Sequence, residues 1–373
     1  MDPRKLRLGF LVAAGAIALA FAGPIAPETP PLVSQSAIWP FCAGAGLFFL
    51  LAAWFADRRA TVPGFVGALA AAVASLMLLQ NPTVAGSAHI GFWLIVLACW
   101  LAAALCVINL AAIRDLRRER QRVFDVLVPL LFGATVFYLW EVGVRGFGVP
   151  PVLLPPPSAA AARFAGSLPI LADDFTQTFI RGVLIGYVIG CGAGLAVAIL
   201  AHRFSFLGRG LLPLGDFFSA LPLVGIAPIM VMWFGFDWPS KAAVVALVTF
   251  FPMLVNAIAG LSAAGHIERD LMRSYAASHR QSLTKLYLPA ALPFIFNALK
   301  INTTLALIGA IVAEFFGTPT QGIGFRISTE AGRMSIDMVW AEIALAALAG
   351  MVFYGFVALA DRAATFWHPS YRA

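Results

Sequence analysis

The sequence predicts an all-α, polytopic membrane protein of about ten transmembrane helices. Of its 373 residues, 61% are hydrophobic and 12% charged, against about 45–50% and about 25% in soluble domains. The mean hydropathy is +0.89. Apolar runs of about 20 residues, the length that crosses a bilayer, recur along the whole chain.

The spans fall near 6–23, 37–56, 63–81, 90–113, 123–144, 179–201, 209–234, 240–263, 291–316 and 338–361. The first has Arg4, Lys5 and Arg7 at its N-terminal edge and ends in small residues, a pattern a cleaved signal peptide shares. Because further spans follow, an uncleaved first helix is the favoured reading. The formal charge is +7, but the cations cluster beside the spans. Positive-inside orientation explains them, and no nucleic-acid partner is expected.

With the N-terminus inside, 18 of the 25 Lys and Arg residues fall on the cytoplasmic side. They include Arg58 and Arg59, the run "RDLRRERQR" at 114–122, Arg203 and Arg209, the group Arg269, Arg273, Arg280 and Lys285, and Arg362 and Arg372. The loops "GPIAPETPPLVSQSA" and "NPTVAGSAH" carry none. An even number of spans with both termini cytoplasmic follows.

The basic run also divides the chain. Residues 1–113 read as an accessory region of about four spans, with acids only at Asp2, Glu28 and Asp57, at or outside span ends. Residues 114–122 read as a linker facing lipid headgroups. Residues 123–373, with long loops, prolines and intramembrane polar groups, read as the working unit of about six spans.

Within the sixth span, Gly182, Gly186 and Gly190 repeat every four residues. Small residues at that spacing let helices approach closely, so this is read as a packing face. Cys42, Cys99, Cys106 and Cys191 all sit in apolar runs without metal-site spacing, and read as small buried hydrophobes. His89, His202, His266, His279 and His368 are scattered, giving no metal cluster and no nucleophile–base pair. A membrane-bound enzyme is the weakest reading.

Between the eighth and ninth spans lies "DLMRSYAASHRQSLTKLYLP", residues 270–289. Met272, Tyr275 and Ala276, then Leu283, Leu286 and Tyr287, recur at helical spacing, with Arg273, Arg280 and Lys285 opposite. The expectation is two short amphipathic helices with a bend at 276–278, feeding without slack into the next span through Leu288 and Pro289. Proline suits the first turn of a helix. By periodicity alone, an ordinary surface loop helix fits equally well.

The segment resembles the coupling loop of binding-protein-dependent ABC importer permeases, E-A-A-x3-G-x9-I-x-L-P. Aligned on Leu288-Pro289, its Glu falls on Asp270, its alanines on Leu271 and Met272, its glycine on Ala276 and its isoleucine on Leu286. "LPAALPFIFNALKINTTLALIGAIVAEFFGTPTQGIGFRI" (288–327) is similar to the helix and loop that follow in the nitrate/sulfonate/taurine branch. "LLPLGDFFSALPLVGIAPIMVMWFG" (211–235) is similar to its helix with spaced prolines, here Pro213, Pro222 and Pro228. "VLLPPPSAAAARF" (152–164) resembles its periplasmic lead-in. The resemblance covers about 123–373; residues 1–113 have no counterpart in six-span members.

The resemblance implies a type I ABC importer transmembrane domain in a bacterial inner membrane. Its partners would be cytoplasmic ABC ATPase subunits, a periplasmic solute-binding protein and a second permease copy. Residues for ATPase coupling would be Asp270, Arg273, Ala276, Ala277, Ser278, Arg280, Leu288 and Pro289, within a loop at 265–289. No G-x4-G-K-[ST] phosphate loop is present, the nearest stretch being "GFDWPSK" at 235–241. No cofactor is therefore expected in this chain, ATP and Mg being the partner's, and the chain is not expected to be an enzyme.

Ionisable groups at membrane depth suggest function by default. Lys300 lies about 16 Å beyond Pro289 along the ninth span, and Glu314 about 21 Å further. With Asn297, Asn302, Met230 and Met232 they are candidates for the translocation pathway or gate. The alternative has Lys300 paired inside the bundle, Glu314 at the outer interface and the methionines in packing. The solute class implied by the branch is a nitrate-, sulfonate- or taurine-like anion or a pyrimidine-type vitamin precursor. An ion-coupled secondary transporter is the rival function, but it would call for internal repeats, and none is visible between the halves.

Overall fold

The computed structural model describes residues 3–25, 37–55, 60–81, 83–111, 118–204, 206–207, 210–211, 213, 222–317 and 320–367, with backbone only at 118–122 and 124. Arg58, Arg59, Arg114, Arg117, Arg209, His368 and Arg372, and with them most of the basic linker before residue 118, lie outside the described residues.

Thirteen helices are formed by the described residues: α1 (Pro3–Ala22), α2 (Trp39–Phe55), α3 (Thr61–Leu78), α4 (Ile90–Ala111), α5 (Arg118–Gly146), α6 (Pro157–Gly166), α7 (Leu168–Arg203), α8 (Leu223–Phe234), α9 (Trp238–Ser262), α10 (His266–Ser274), α11 (His279–Glu314), α12 (Ile323–Gly332) and α13 (Ile336–Ala364). Eight are long and apolar enough to cross a membrane; α2 and α8, at 17 and 12 residues, are shorter apolar helices. All ten expected spans thus meet a helix.

The seventh expected span needs correction. A single helix over 209–234 does not form. Pro222 is extended, at φ −68° and ψ 119°, and α8 starts only at Leu223. Residues 209, 212 and 214–221 lie outside the described residues. A helix of α8's length rises about 18 Å, short of the hydrocarbon thickness of about 30 Å. Proline has no N–H for an intrahelical bond, and hydropathy, which counts apolar residues, does not register that.

The chain packs as two compact units, Met1–Ala162 and Arg163–Ala373. In the first, α1 to α4 form a ring in which each helix packs on its two neighbours, and α5 lies against α4 and α3. Helix α5 therefore packs with the first four spans, although the compositional break precedes it. Phe10, Phe49 and Phe92 are fully buried among alanines. Arg7 Nε of α1 donates to the Ala53 carbonyl (3.0 Å) near the C-terminus of α2, where unsatisfied carbonyls favour a cation. The hydroxyls of Ser75 and Tyr138 share a bond of 2.8 Å between α3 and α5.

In the second unit α9 is central, packed between α7 and α11, with α13 on α11 and α12 on α13. The glycine face of α7 behaves as its spacing predicts. A Cβ on Gly190 would stand 2.1 Å from Thr249 Oγ1 and 2.4 Å from the Ala246 carbonyl, so α7 and α9 touch backbone to backbone there. All four cysteines are buried and unpaired by disulfides.

Candidate functional site

Residues 265–289 form the expected pair of helices, and their junction is built from two capping motifs. Helix α10 closes with a Schellman motif: Ala277 N–H bonds the Met272 carbonyl (3.0 Å) and Ala276 N–H the Arg273 carbonyl (2.9 Å). The motif needs a left-handed residue, and Ala276 takes that place with φ +48°. The position is usually glycine because a Cβ crowds the backbone there. The alanine that replaces glycine in the loop pattern therefore keeps the glycine conformation.

Helix α11 then opens on a capping box. Ser278 Oγ accepts from Gln281 N–H (3.3 Å), and Gln281 Oε1 accepts from Ser278 N–H (2.8 Å). The S-x-x-Q spacing was legible in the sequence. Nothing but Ala276 and Ala277 separates the C-cap of α10 from this N-cap.

From Ser278 the chain runs as one helix to Glu314, through a π-helical stretch at Leu283–Tyr287. Pro289 follows it after one residue, Leu288. A proline ring crowds the carbonyl four residues back and offers it no N–H. The wider i→i+5 turn, in which Leu288 N–H bonds the Leu283 carbonyl, relieves that conflict without breaking the helix.

The pair projects from the bundle. Ile267, Leu271 and Tyr275 recur every four residues and are 82%, 54% and 78% exposed, an apolar stripe left uncovered by the described residues. Beside it, Asp270 is held by His266 Nδ1 (3.0 Å) and Arg273 Nη1 (3.5 Å). Ser278 and Arg280 are exposed, Ala277 is partly so, and Leu288 and Pro289 are half-buried in the helix. All eight residues picked for coupling thus lie on one continuous structure.

The pathway candidates divide. Asn297 and Lys300 share a cavity of about 450 Å³ with Ile301, Thr304, Leu305 and Tyr354. Lys300 Nζ makes an ion pair with Asp361 Oδ2 of α13 (2.9 Å). Asn302 is fully buried and donates to the Thr249 carbonyl (2.8 Å) and Cys191 Sγ (3.2 Å), tying α11 to α9 and α7. Met230 lines a separate apolar cavity of about 630 Å³ with Trp233 and Phe250, whereas Met232 is 83% exposed.

Glu314 belongs to a buried polar cluster at the far end of α11. Its carboxylate accepts from Thr178 Oγ1 (2.8 Å) and Gly324 N–H (2.7 Å). Asp174 accepts from Gly322 N–H (2.6 Å) and from Arg326 Nε (2.8 Å) and Nη2 (3.3 Å). Thr178 Oγ1 also accepts from Ile323 N–H (2.8 Å). Together these bonds clamp the loop after α11 onto α7. Thr178 sits in the π-helical stretch Thr176–Leu184 of α7. Gly322 has φ +132°, and a Cβ there would lie 2.6 Å from Glu314 Oε1. Nearby, Lys241 donates to the Phe236 and Gly317 carbonyls. Asp237, N-cap of α9, accepts from Trp238 N–H (2.7 Å) and Gln177 Nε2 (3.0 Å). The Trp238 bond first, then that of Gln177, holds its carboxyl below the usual range.

Sequence reasoning passed over Asp174, Thr178, Lys241, Arg326, Glu342 and Asp361. For Lys241 and Glu342 the rule that selected Lys300 and Glu314, an ionisable residue within a span, was sufficient signal. Asp361 stands at a span end, and Asp174 and Arg326 lie outside the expected spans, so only the fold reveals their pairing.

A many-spanned bundle with an exposed helix pair feeding one span is an arrangement that fits a transport permease. Residues 182–366 match the family described as "Binding-protein-dependent transport system inner membrane component". The formylaminopyrimidine transport permease protein ThiX of Halalkalibacterium halodurans is 30% identical over 239 residues, 64% of this chain and 94% of that one. The putative aliphatic sulfonates transport permease protein SsuC of Bacillus subtilis is 29% identical over 273 residues, covering 72% and 97%. The taurine transport system permease protein TauC of Escherichia coli is 29% identical over 236 residues, covering 59% and 82%. The chain belongs to this family of ABC transporter permeases.

Proposed function

We propose that the chain is the membrane-spanning subunit of an ATP-driven importer, and that residues 265–289 are where a separate ABC ATPase takes hold. The observation that carries this reading is the apolar stripe Ile267, Leu271 and Tyr275 on a helix pair joined without slack to α11. An apolar patch rimmed by charge is a protein-docking surface, and a continuous helix transmits its displacement. On this reading both termini and the loop are cytoplasmic, and a periplasmic binding protein delivers the solute.

The pathway runs along the face of α11 that carries Asn297, Lys300 and Thr304, with Tyr354 of α13 facing the same cavity. A polar stripe on a spanning helix is costly against lipid, and a second permease copy would enclose it. The solute is a small anion or a pyrimidine-type compound. This follows the named cargoes of the relatives, and one Lys–Asp pair on the pathway does not discriminate between them.

The test is co-purification and uptake. A tagged chain should bring down an ABC ATPase from its native host, and Ala276→Asp combined with Arg280→Glu should abolish both capture and ATP-dependent uptake. Uptake that persists in the double variant, or that follows an ion gradient without ATP, overturns the proposal.

A further inference from the structure

The cavity of about 630 Å³ between α7, α8 and α9 shares no lining residue with the polar cavity on α11. Every residue that lines it is apolar or aromatic, so a small anion would meet no partner there. Of these, Ile185, Ile189 and Trp233 are exposed, so the cavity opens on the outside of the unit, where lipid would lie. Along α9 it runs from Trp238 to Phe250, about 18 Å of helix. One leaflet, half of a hydrocarbon core of about 30 Å, is about as deep.

Charge stands at one end of this cavity, the end that carries Trp233 and Trp238, residue types that settle at headgroup level. Arg181 precedes Ile185 by four residues, which places it on the same face of α7, and it is exposed. Its Nη1 donates to Gln177 Oε1 (3.2 Å). Among the described residues that is the one hydrogen bond of a guanidinium with five N–H donors. Gln177 Nε2 donates in turn to Asp237 Oδ1 (3.0 Å), which also accepts from Trp238 N–H (2.7 Å). Asp237 is exposed as well, and among the described residues its Oδ2 accepts no hydrogen bond. Lys241, one turn into α9, is buried and donates to the Phe236 and Gly317 carbonyls. One cation and one anion, bridged by a single amide, thus stand at the mouth with bonding capacity to spare.

We propose that the cavity and this pair of charges bind an aminophospholipid, in the leaflet opposite the helix pair at 265–289. An acyl chain fills the cavity, the phosphate pairs with Arg181, and the primary ammonium donates to Asp237. Guanidinium and phosphate match in charge and geometry. The chain leaves one apolar medium for another, lipid tails being as apolar as leucine, so the headgroup decides which lipid stays. Phosphatidylethanolamine satisfies both charges. Phosphatidylglycerol satisfies Arg181 but leaves Asp237 facing an anion.

The test uses the full-length chain in nanodiscs of both lipids, with a trace of either one carrying a diazirine at the end of an acyl chain. After photolysis, peptide mapping should place the phosphatidylethanolamine label on the cavity residues of α7 and α9, above that of phosphatidylglycerol. Arg181→Gln should lower labelling by both probes about 2–5-fold, the scale of an exposed ion pair. Asp237→Asn, which keeps the helix cap, should remove the preference between the probes. Ala243→Phe, which fills the cavity, should remove both labels. The proposal is overturned if the two probes label the wild type equally, as boundary lipid would. It is also overturned if neither probe reaches the cavity because a second copy of the chain covers it, or if either charge substitution leaves the pattern unchanged.

Discussion

Ala276 is the residue of the 265–289 segment whose backbone conformation does not suit its side chain. At φ +48° an L-residue costs about 1–2 kcal/mol relative to the right-handed region. Glycine there carries no such cost, but its looser unfolded chain returns about 0.4–1 kcal/mol. The net expectation for Ala276→Gly is a turn more stable by about 0.5–1 kcal/mol, or about 2–5-fold in its opening equilibrium. Ala276→Val goes the other way. A β-branched residue at positive φ is a true outlier, and about 1–2 kcal/mol of added strain raises opening about 5–30-fold. Native-state hydrogen exchange reads this directly, because the Ala276 and Ala277 amides make the two bonds of the motif. Exchange at those two amides should slow in Ala276→Gly and quicken in Ala276→Val, with spans far from the turn unchanged. Equal exchange in all three proteins would refute the argument that left-handed geometry at residue 276 shapes the bend.

Ser278→Ala removes the acceptor half of the capping box and should cost about 1 kcal/mol, seen as faster amide exchange at 279–282. Gly190→Ala drives a methyl into Thr249 and Ala246 and should destabilise by about 1–3 kcal/mol, whereas Gly192→Ala, with nothing within 4 Å, should unfold at or above the wild-type temperature. Lys300→Met leaves Asp361 buried without its lysine and should cost about 3 kcal/mol; adding Asp361→Leu should restore much of the loss in the same thermal assay. Because Asp237 is held below its usual range, the stability it contributes is present above the unfolded carboxylate range, near pH 4, and is lost as pH falls through its folded value. Asp237→Asn should flatten that acid limb of the unfolding profile.

Most of the bundle was legible because a bilayer imposes one requirement, a long apolar helix, that composition reveals directly. The break at Pro222 was not, since hydropathy sees only the apolar side chains around it. The bend at 276–278 was readable from periodicity and small residues, and the capping box from Ser278 and Gln281. That alanine would adopt glycine's conformation was not readable, because it follows from the Schellman bonds and not from residue type. Lys300 announced itself as an intramembrane cation, but Asp361 lies 61 residues away at the edge of another span, and only tertiary packing joins them. The clamp of Asp174, Thr178, Glu314 and Arg326 draws on three helices and a loop, with separations in sequence up to 152 residues.

Helix α11 spans 36 residues, about 54 Å end to end. Pivoting about its middle by about 5° would carry each tip about 2.4 Å in opposite directions over that length. The Schellman turn and Glu314 sit at the two tips of this beam. A partner that shifts the turn therefore also strains the clamp around Glu314, and whatever tightens or loosens that clamp alters the grip available at the turn, by the reciprocity that binds any two linked sites.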